Sequence, residues 1–276
     1  MVAVVVPVYK DVPNAEELMA LRQCGEVLGR HTIVLVAPSN LRLQCYKNAL
    51  RKNGAKDVRE VFFRDRFFRD INGYNSLMLS YRFYHALRSF QYILVFQLDA
   101  WVFRDELHHW CDMGYDYIGA PWLSKNSASI EDAFRGVGNG GFSLRNVSAF
   151  RKVLRSFRYI RSFSECVDFH RRRQSSRMTT MLSILRNKTV ANNTFCLLNN
   201  FGANEDKFWG IHVPNKFSWF RVPGLDVALR FSFESRCRES YKWNGDQLPF
   251  GCHGWYGEEW SFWKDHIDLG DDSSVQ

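Results

Sequence analysis

The sequence predicts an α/β domain with a parallel sheet in its first half, and three observations carry that prediction. Three short runs, VAVVVPV (2–8), HTIVLVAP (31–38) and VREVFF (58–63), are rich in β-branched and aromatic residues. Two stretches of helical spacing, 15–29 and 41–54, separate them, and each ends on a glycine. Successive strand–helix–strand steps of this length join parallel strands by right-handed crossovers. The 276 residues are enough for one large α/β domain with a substantial core.

The elements follow in order. The first run is apolar at nearly every position, the pattern of a strand buried on both faces, and a proline closes it. AEELMALRQCGEVLG (15–29) repeats apolar residues every third or fourth place, with Gly29 as its expected C-cap. The strand 31–38 stops at Pro38, and the helix 41–54 stops at Gly54. YNSLMLSYRFYHAL (74–87) predicts one helix, QYILVFQLDAWVF (91–103) a strand that breaks at Asp99, and YDYIGAPW (115–122) another strand. GVGNGGFSLR (136–145) is a glycine-rich run entering an alternating strand, with Phe142 and Leu144 toward the core and Ser143 and Arg145 on the other face. Residues 147–158 and 176–186 predict helices. After about residue 190 the pattern breaks into short aromatic pieces, and residues 266–276 predict a disordered tail. With no internal repeat and no linker, the chain reads as a single domain over 1–276.

Composition narrows the class. Hydrophobic residues make up 46% and charged residues 24%, as in soluble globular proteins, while aromatics at 16% suit a site that stacks rings on sugars or bases. The net charge of +8 favours anionic partners, and it is densest in 151–177, where basic residues alternate with aromatics. That stretch is the candidate surface for a membrane or a polyanion. The seven cysteines show no C-x-x-C spacing, which points to reduced thiols rather than a disulfide framework or a zinc site. The opening VAVVVPVY is too short to span a bilayer and has no basic leader. Together these predict a cytoplasmic protein that, if it meets a membrane, lies on it. No nucleic-acid-binding motif is present, and no nucleic-acid partner is expected.

Four constellations carry candidate chemistry. Asp99 ends an apolar strand, where open α/β sheets bind ligands, and would either hold a divalent cation or cap a turn. The glycine-rich GVGNGG lacks the G-K-S/T ending of a phosphate loop and leads into a strand rather than a helix, which leaves a close approach to a flat ligand or a plain turn. In NEDKFWG (204–210), Glu205 and Asp206 would supply a base and its orienting partner, or Asn204 would cap a helix with acids in its first turn. His253, set among glycines and aromatics in FGCHGW, would be a metal ligand, a base or a hydrogen-bonded structural residue. Besides these four, Arg64, Arg66 and Arg69 in FRDRFFRD offer positive charge for a diphosphate, or form a solvated loop.

The succession VVVPVY, FQLDAWVF, GNGGFSLR, NEDKFWG and FGCHGW resembles glycosyltransferases of the GT-A fold, over most of residues 1–257. The pair YDYIGAPW and GNGGFSLR is also similar to a GT-A-like family associated with polysaccharide gene sets. The resemblance implies a Rossmann-like mixed central sheet flanked by helices, with a nucleotide-sugar half at 1–103 and an acceptor half at 104–265. It implies a nucleotide-sugar donor, a UDP-sugar above all, met by Pro7, Val8, Tyr9, Gln97, Asp99 and Arg66. It implies Mn²⁺ or Mg²⁺ on Asp99 and His253, and sugar contacts from Asn139, Gly140, Gly141 and Trp122. Asp206 becomes the base and Glu205 orients the acceptor or the base, in an inverting transfer to a glycan or lipid-linked glycan. One position departs: D-x-D enzymes have two acids, whereas LDAW keeps only Asp99 and has Trp101 at the third position. A carbohydrate- or polyanion-binding module and a nucleotidyltransferase remain as the competing classes.

Overall fold

In a computed structural model, residues 1–124, 127, 129–158, 163–172, 176–186, 193–194, 198, 201 and 203–269 are described. The expected first half is present: β1 (Val2–Pro7), α1 (Ala15–Leu28), β2 (Thr32–Pro38), α2 (Gln44–Lys52) and β3 (Asp57–Phe63) follow one another. Then come α3 (Ile71–Met78), α4 (Tyr81–Ala86), β4 (Tyr92–Phe96), β5 (Ala100–Val102), α5 (Leu107–Asp112), β6 (Tyr117–Ile118) and β7 (Pro121–Leu123). They are followed by α6 (Ile130–Ala133), β8 (Phe134–Val137), β9 (Phe142–Asn146), α7 (Val147–Leu154), α8 (Phe163–Arg172) and α9 (Arg177–Arg186). The six-stranded sheet runs β3-β2-β1-β4-β9-β6. β1 to β4 are parallel, whereas β9 is antiparallel to both β4 and β6, so the central sheet is mixed, as expected.

The core lies on both faces of this sheet. Val2, Val4 and Val6 pack with Leu21, Cys24 and Leu50 of α1 and α2. Ala3 and Val5 face the other way, among Phe83, Tyr84 and Phe150. Alternate residues of one run thus bury against helices on opposite sides, which is why β1 is apolar throughout. Each fully buried valine contributes about 1.5–3 kcal/mol of transfer free energy. A capping box starts α1: Asn14 Oδ1 accepts from the Glu17 amide at 2.8 Å, and the Glu17 carboxylate accepts from the Asn14 amide at 2.9 Å.

Four expectations change in detail. The helix expected over 74–87 is two helices, because Ser80 is extended and caps α4 through its hydroxyl, which accepts from the Arg82 amide at 3.2 Å. The strand expected over 91–103 is divided between two sheets. β4 belongs to the large sheet, while β5 pairs with β11 (Gly251–His253), which in turn pairs with β10 (Ser232–Phe233). The strand expected over 115–122 separates into β6 and β7, the latter paired with β8. Gly29 does follow α1, but with φ −62 it is right-handed. Space explains the glycine there: a Cβ would lie 2.7 Å from the Gly54 carbonyl carbon. Of the expected tail 266–276, Ile267 is buried in the core, and residues 270–276 lie outside the described residues.

Candidate functional site

The sheet topology gathers the site. β1 and β4 are adjacent and parallel, so their C-terminal ends, Pro7 and Phe96, open on one edge. β9 runs the other way, with Phe142 opposite Phe96, and therefore brings Gly140 and Gly141 to that same edge. The Gln97 amide donates to the Gly141 carbonyl at 2.8 Å. β11 pairs with β5 so that His253 sits opposite Ala100, next to Asp99, and β10 beside β11 delivers Glu234. A cavity of ≈ 460 Å³ forms there, walled by Pro7, Tyr9, Gln97, Asp99, Gly140 and Gly141 on the sheet side. Asn204, Glu205, Asp206, Glu234, His253 and Tyr256 face them, and the segment from Phe67 to Ile71 closes one flank. The capping Glu17 holds the loop after β1 in place, through Lys10 Nζ at 2.7 Å and the Tyr9 hydroxyl at 3.4 Å.

His253 is the hub of one polar cluster. Its Nε2 lies 3.1 Å from Asp99 Oδ1 and 3.2 Å from Gln97 Oε1, and its Nδ1 lies 3.1 Å from Glu234 Oε1. Burial opposes a charge on the ring, but hydrogen bonds and charge from Asp99 and Glu234 outweigh it and lift its pKa to about 10. Burial also works against an ionised Asp99, yet its bond to His253 carries that carboxyl below the usual range.

Among the described residues, no cluster of three His, Cys, Asp or Glu side chains forms a ready metal cage. The chemistry and spacing of Asp99, Gln97 and His253 nonetheless fit a small divalent cation. Two ligands ~2.1 Å from an octahedral ion are about 3 Å apart, as the Nε2–Oδ1 and Nε2–Oε1 separations of 3.1 and 3.2 Å are. Binding would require the proton on Nε2 to leave. The partner of Asp99 is thus two residues before it: the motif reads Gln97-Leu98-Asp99. Trp101, at the position expected to complete D-x-D, is buried and packs edge-on against Trp255 at 5.2 Å.

A second cluster surrounds the acidic pair. Arg145 and Glu205 are 0% and 1% exposed, and their side chains meet twice, at 2.8 and 3.2 Å. Arg145 also donates to the Tyr84 hydroxyl at 2.9 Å and the Ser143 hydroxyl at 3.0 Å. The face of β9 that alternation assigned to Ser143 and Arg145 is therefore interior. Both Glu205 oxygens are taken, and the Glu205 amide donates to Asn75 Oδ1 at 3.2 Å. Asp206, the next residue, faces the cavity. Burial first, then the charges of Glu205 and Glu234, push its carboxyl up to about 7. The capping alternative is not what holds this turn, since the Asn204 side chain makes no cap hydrogen bond.

The glycines of GVGNGG clear space for protein side chains. A Cβ on Gly138 would lie 2.0 Å from the Trp122 ring, one on Gly141 2.0 Å from His253 Nε2, and one on Gly140 3.0 Å from Glu205 Oε1. The run thus lets Trp122, His253 and Glu205 close on β9, and only Gly140 and Gly141 reach the cavity.

Several expected contacts are corrected. Asn139 is fully buried: its Oδ1 accepts from the amides of Gly141 and Phe142 at 2.7 and 3.0 Å, so it builds the turn and does not line the cavity. Trp122 lies beneath Gly138, outside the cavity lining. Val8 is buried in the core, leaving Pro7 and Tyr9 to face the cavity. Arg66 turns its guanidinium over Phe67, 4.9 Å from the ring, whereas Arg69 lines the cavity. Sequence reasoning missed Glu234, Arg145 and Tyr74, whose hydroxyl donates to the Gly140 carbonyl at 2.8 Å. Only Arg145 left a signal, as a charge on the polar face of an alternating strand.

Fold and site together define an α/β protein with an acidic cavity at the C-terminal edge of a mixed sheet. Residues 57–253 match the family model described as "protein of unknown function (DUF5672)", and the chain belongs to that family. No curated protein matches the chain. Among solved structures, it is similar to mouse xyloside xylosyltransferase 1 in its apo form, at 13% identity and TM-score 0.49, over 91% of this chain and 96% of that one. It is similar to the galactosyltransferase LgtC in complex with donor and acceptor sugar analogues, at 11% identity and TM-score 0.45, over 91% and 86%. It is also similar to core-mannan synthase A of Aspergillus fumigatus in a Mn/GDP form, at 10% identity and TM-score 0.39, over 74% and 70%.

Proposed function

We propose that the chain is a glycosyltransferase that moves a sugar from a nucleotide-sugar donor, a UDP-sugar by preference, to a glycan or lipid-linked glycan hydroxyl. The observation that carries this reading is Asp206. Its carboxyl titrates near 7 and faces the same cavity as Gln97, Asp99 and His253, at the sheet edge where nucleotides bind.

In this reading Pro7 and Tyr9 hold the base, with the exposed Tyr9 ring stacking on it. Asp99, His253 and Gln97 would hold Mn²⁺ or Mg²⁺, which supplies positive charge for the diphosphate leaving group. Arg69 adds a second cation at the cavity wall. Asp206 accepts the proton of the acceptor hydroxyl as its oxygen bonds to the anomeric carbon. The bond from that carbon to the diphosphate oxygen breaks, and a nucleoside diphosphate departs. Attack from the face opposite the leaving group inverts the anomeric centre. Glu205, held by Arg145, orients Asp206 rather than the acceptor.

The deciding experiment incubates the protein and an acceptor panel with nucleotide sugars and Mn²⁺ and measures what is released. Nucleoside diphosphate with a sugar joined to acceptor supports the reading, and NMR of the product gives the anomeric outcome. Pyrophosphate released from a nucleoside triphosphate and a sugar phosphate would identify a nucleotidyltransferase instead. Sugar binding with no turnover would leave a binding module. EDTA should abolish transfer and Mn²⁺ restore it; transfer untouched by EDTA would refute a metal at Asp99 and His253.

A further inference from the structure

α9 carries four of its five apolar residues on its outer side. Its sequence RMTTMLSILR places Met178, Met181, Leu182 and Leu185 at i, i+3, i+4 and i+7, one face of a helix. That face is turned to solvent: the four residues are 75, 70, 64 and 61% exposed. The inward side is made by Thr180, Ser183 and Ile184, all half-buried, and Ser183 Oγ lies 2.5 Å from His170 Nε2 of α8. A helix packed for a watery surface has the reverse arrangement. Phe157 and Phe163 add two more exposed rings, at 75 and 57%. An apolar stripe of this kind on a protein surface marks an interaction site.

Charge selects the partner. Residues 151–186 hold ten of the 37 Lys and Arg and two of the 29 Asp and Glu, so this stretch alone carries a net +8, equal to that of the whole chain. The other 240 residues carry equal numbers of acids and bases. Arg177 and Arg186 stand at the two ends of the stripe, and the Arg171 side chain of α8 is 78% exposed. Exposed Met and Leu beside concentrated Arg match the boundary between anionic headgroups and acyl chains, where the cations neutralise phosphate and the apolar side chains leave water.

We infer that α9, with the basic end of α8, is an interfacial anchor that docks the protein on anionic phospholipid. The surface lies partly beyond the 151–177 stretch that composition singled out, and α9 supplies its apolar half.

Co-sedimentation of the full chain with lipid vesicles tests this at physiological ionic strength. Binding is expected to phosphatidylcholine vesicles containing about a third phosphatidylglycerol, weakening as salt rises, and not to phosphatidylcholine alone. Met181→Glu with Leu182→Glu should abolish binding. Arg171→Gln with Arg177→Gln should weaken it roughly fivefold per charge removed. These side chains are exposed, so circular-dichroism melting should be unchanged and separates lost docking from lost folding. No binding to the anionic vesicles, or binding that survives Met181→Glu with Leu182→Glu, would overturn the inference. Self-association that this variant removes, without vesicle binding, would assign the stripe to a second copy of the chain and also overturn it.

Discussion

Two polar clusters lie on either side of Gly140, and they differ in how their charges are balanced. On the interior side, Arg145 and Glu205 neutralise each other in a bidentate pair, and Tyr84 and Ser143 take the remaining donors. On the cavity side, Asp99 and Glu234 share one imidazole, Asp206 lines the same cavity without that partner, and Arg69 stands at the wall. The first cluster is complete within the protein, and removing one partner strands a buried charge. In the second, burial first and then the charges of Glu205 and Glu234 keep the proton on Asp206 to about neutral pH. Complete neutralisation identifies structure, and an unbalanced cluster in a cavity identifies a site for chemistry.

The largest expected effect separates the two clusters by activity. Asp206→Asn should cut transfer by about 10²–10⁴-fold, the usual worth of a general base, while nucleotide-sugar binding persists. Near-normal turnover in a steady-state assay would remove Asp206 from the chemistry. Arg145→Met should act on folding instead. It leaves Glu205 buried and unpaired, and urea unfolding should show a loss of about 3–5 kcal/mol. Adding Glu205→Gln to that variant should recover much of the loss. If the double variant is no more stable than the single one, the pair is not what stabilises this interior.

Gly141→Ala is expected to be milder in stability and sharper in function. Its Cβ would displace the His253 ring, 2.0 Å away, so Mn²⁺ dependence should weaken more than the melting temperature falls. An unchanged Mn²⁺ titration would mean that His253 is not a ligand.

The smallest effect is in pH dependence. Activity should rise about tenfold per pH unit below 7 and level off above it, because the base must be ionised. Stability has the opposite sign. The folded-state pKa of Asp206 lies above the unfolded value, so its ionisation costs stability as pH rises from about 4 to about 7, in full above that. Asp206→Asn should therefore melt higher than the parent at pH 8 but not at pH 4, by a few degrees. An equal difference at both pH values would contradict the raised carboxyl.

The site was legible in part. Local pattern singled out Asp99, Gly140, Gly141, Glu205, Asp206 and His253, the resemblance added Pro7, Tyr9 and Gln97, and all of them line one cavity. Asn139, Trp122, Val8 and Arg66 were drawn in by the same neighbourhoods and point elsewhere, because sequence proximity does not say which way a side chain turns. Glu234 and Tyr74 gave no signal at all, as each meets the site only through a pairing with a distant segment.

By itself the sequence determined the strands and helices of the first half, since β-branched runs and helical spacing are local properties that burial on both faces reinforces. It determined that carboxylates, glycines and a histidine stand at element ends. Tertiary structure alone decided that β9 runs antiparallel beside β4, and that β11 lies against β5. Those pairings, with β10 beside β11 and Glu205 held on Arg145, bring residues 97–99, 140–141, 205–206, 234 and 253 to one edge. They also decide that Glu205 is a buried structural charge while its neighbour Asp206 is not. The physical reason is that charge balance depends on which groups surround a carboxylate in space, and adjacent residues in a chain can face entirely different surroundings.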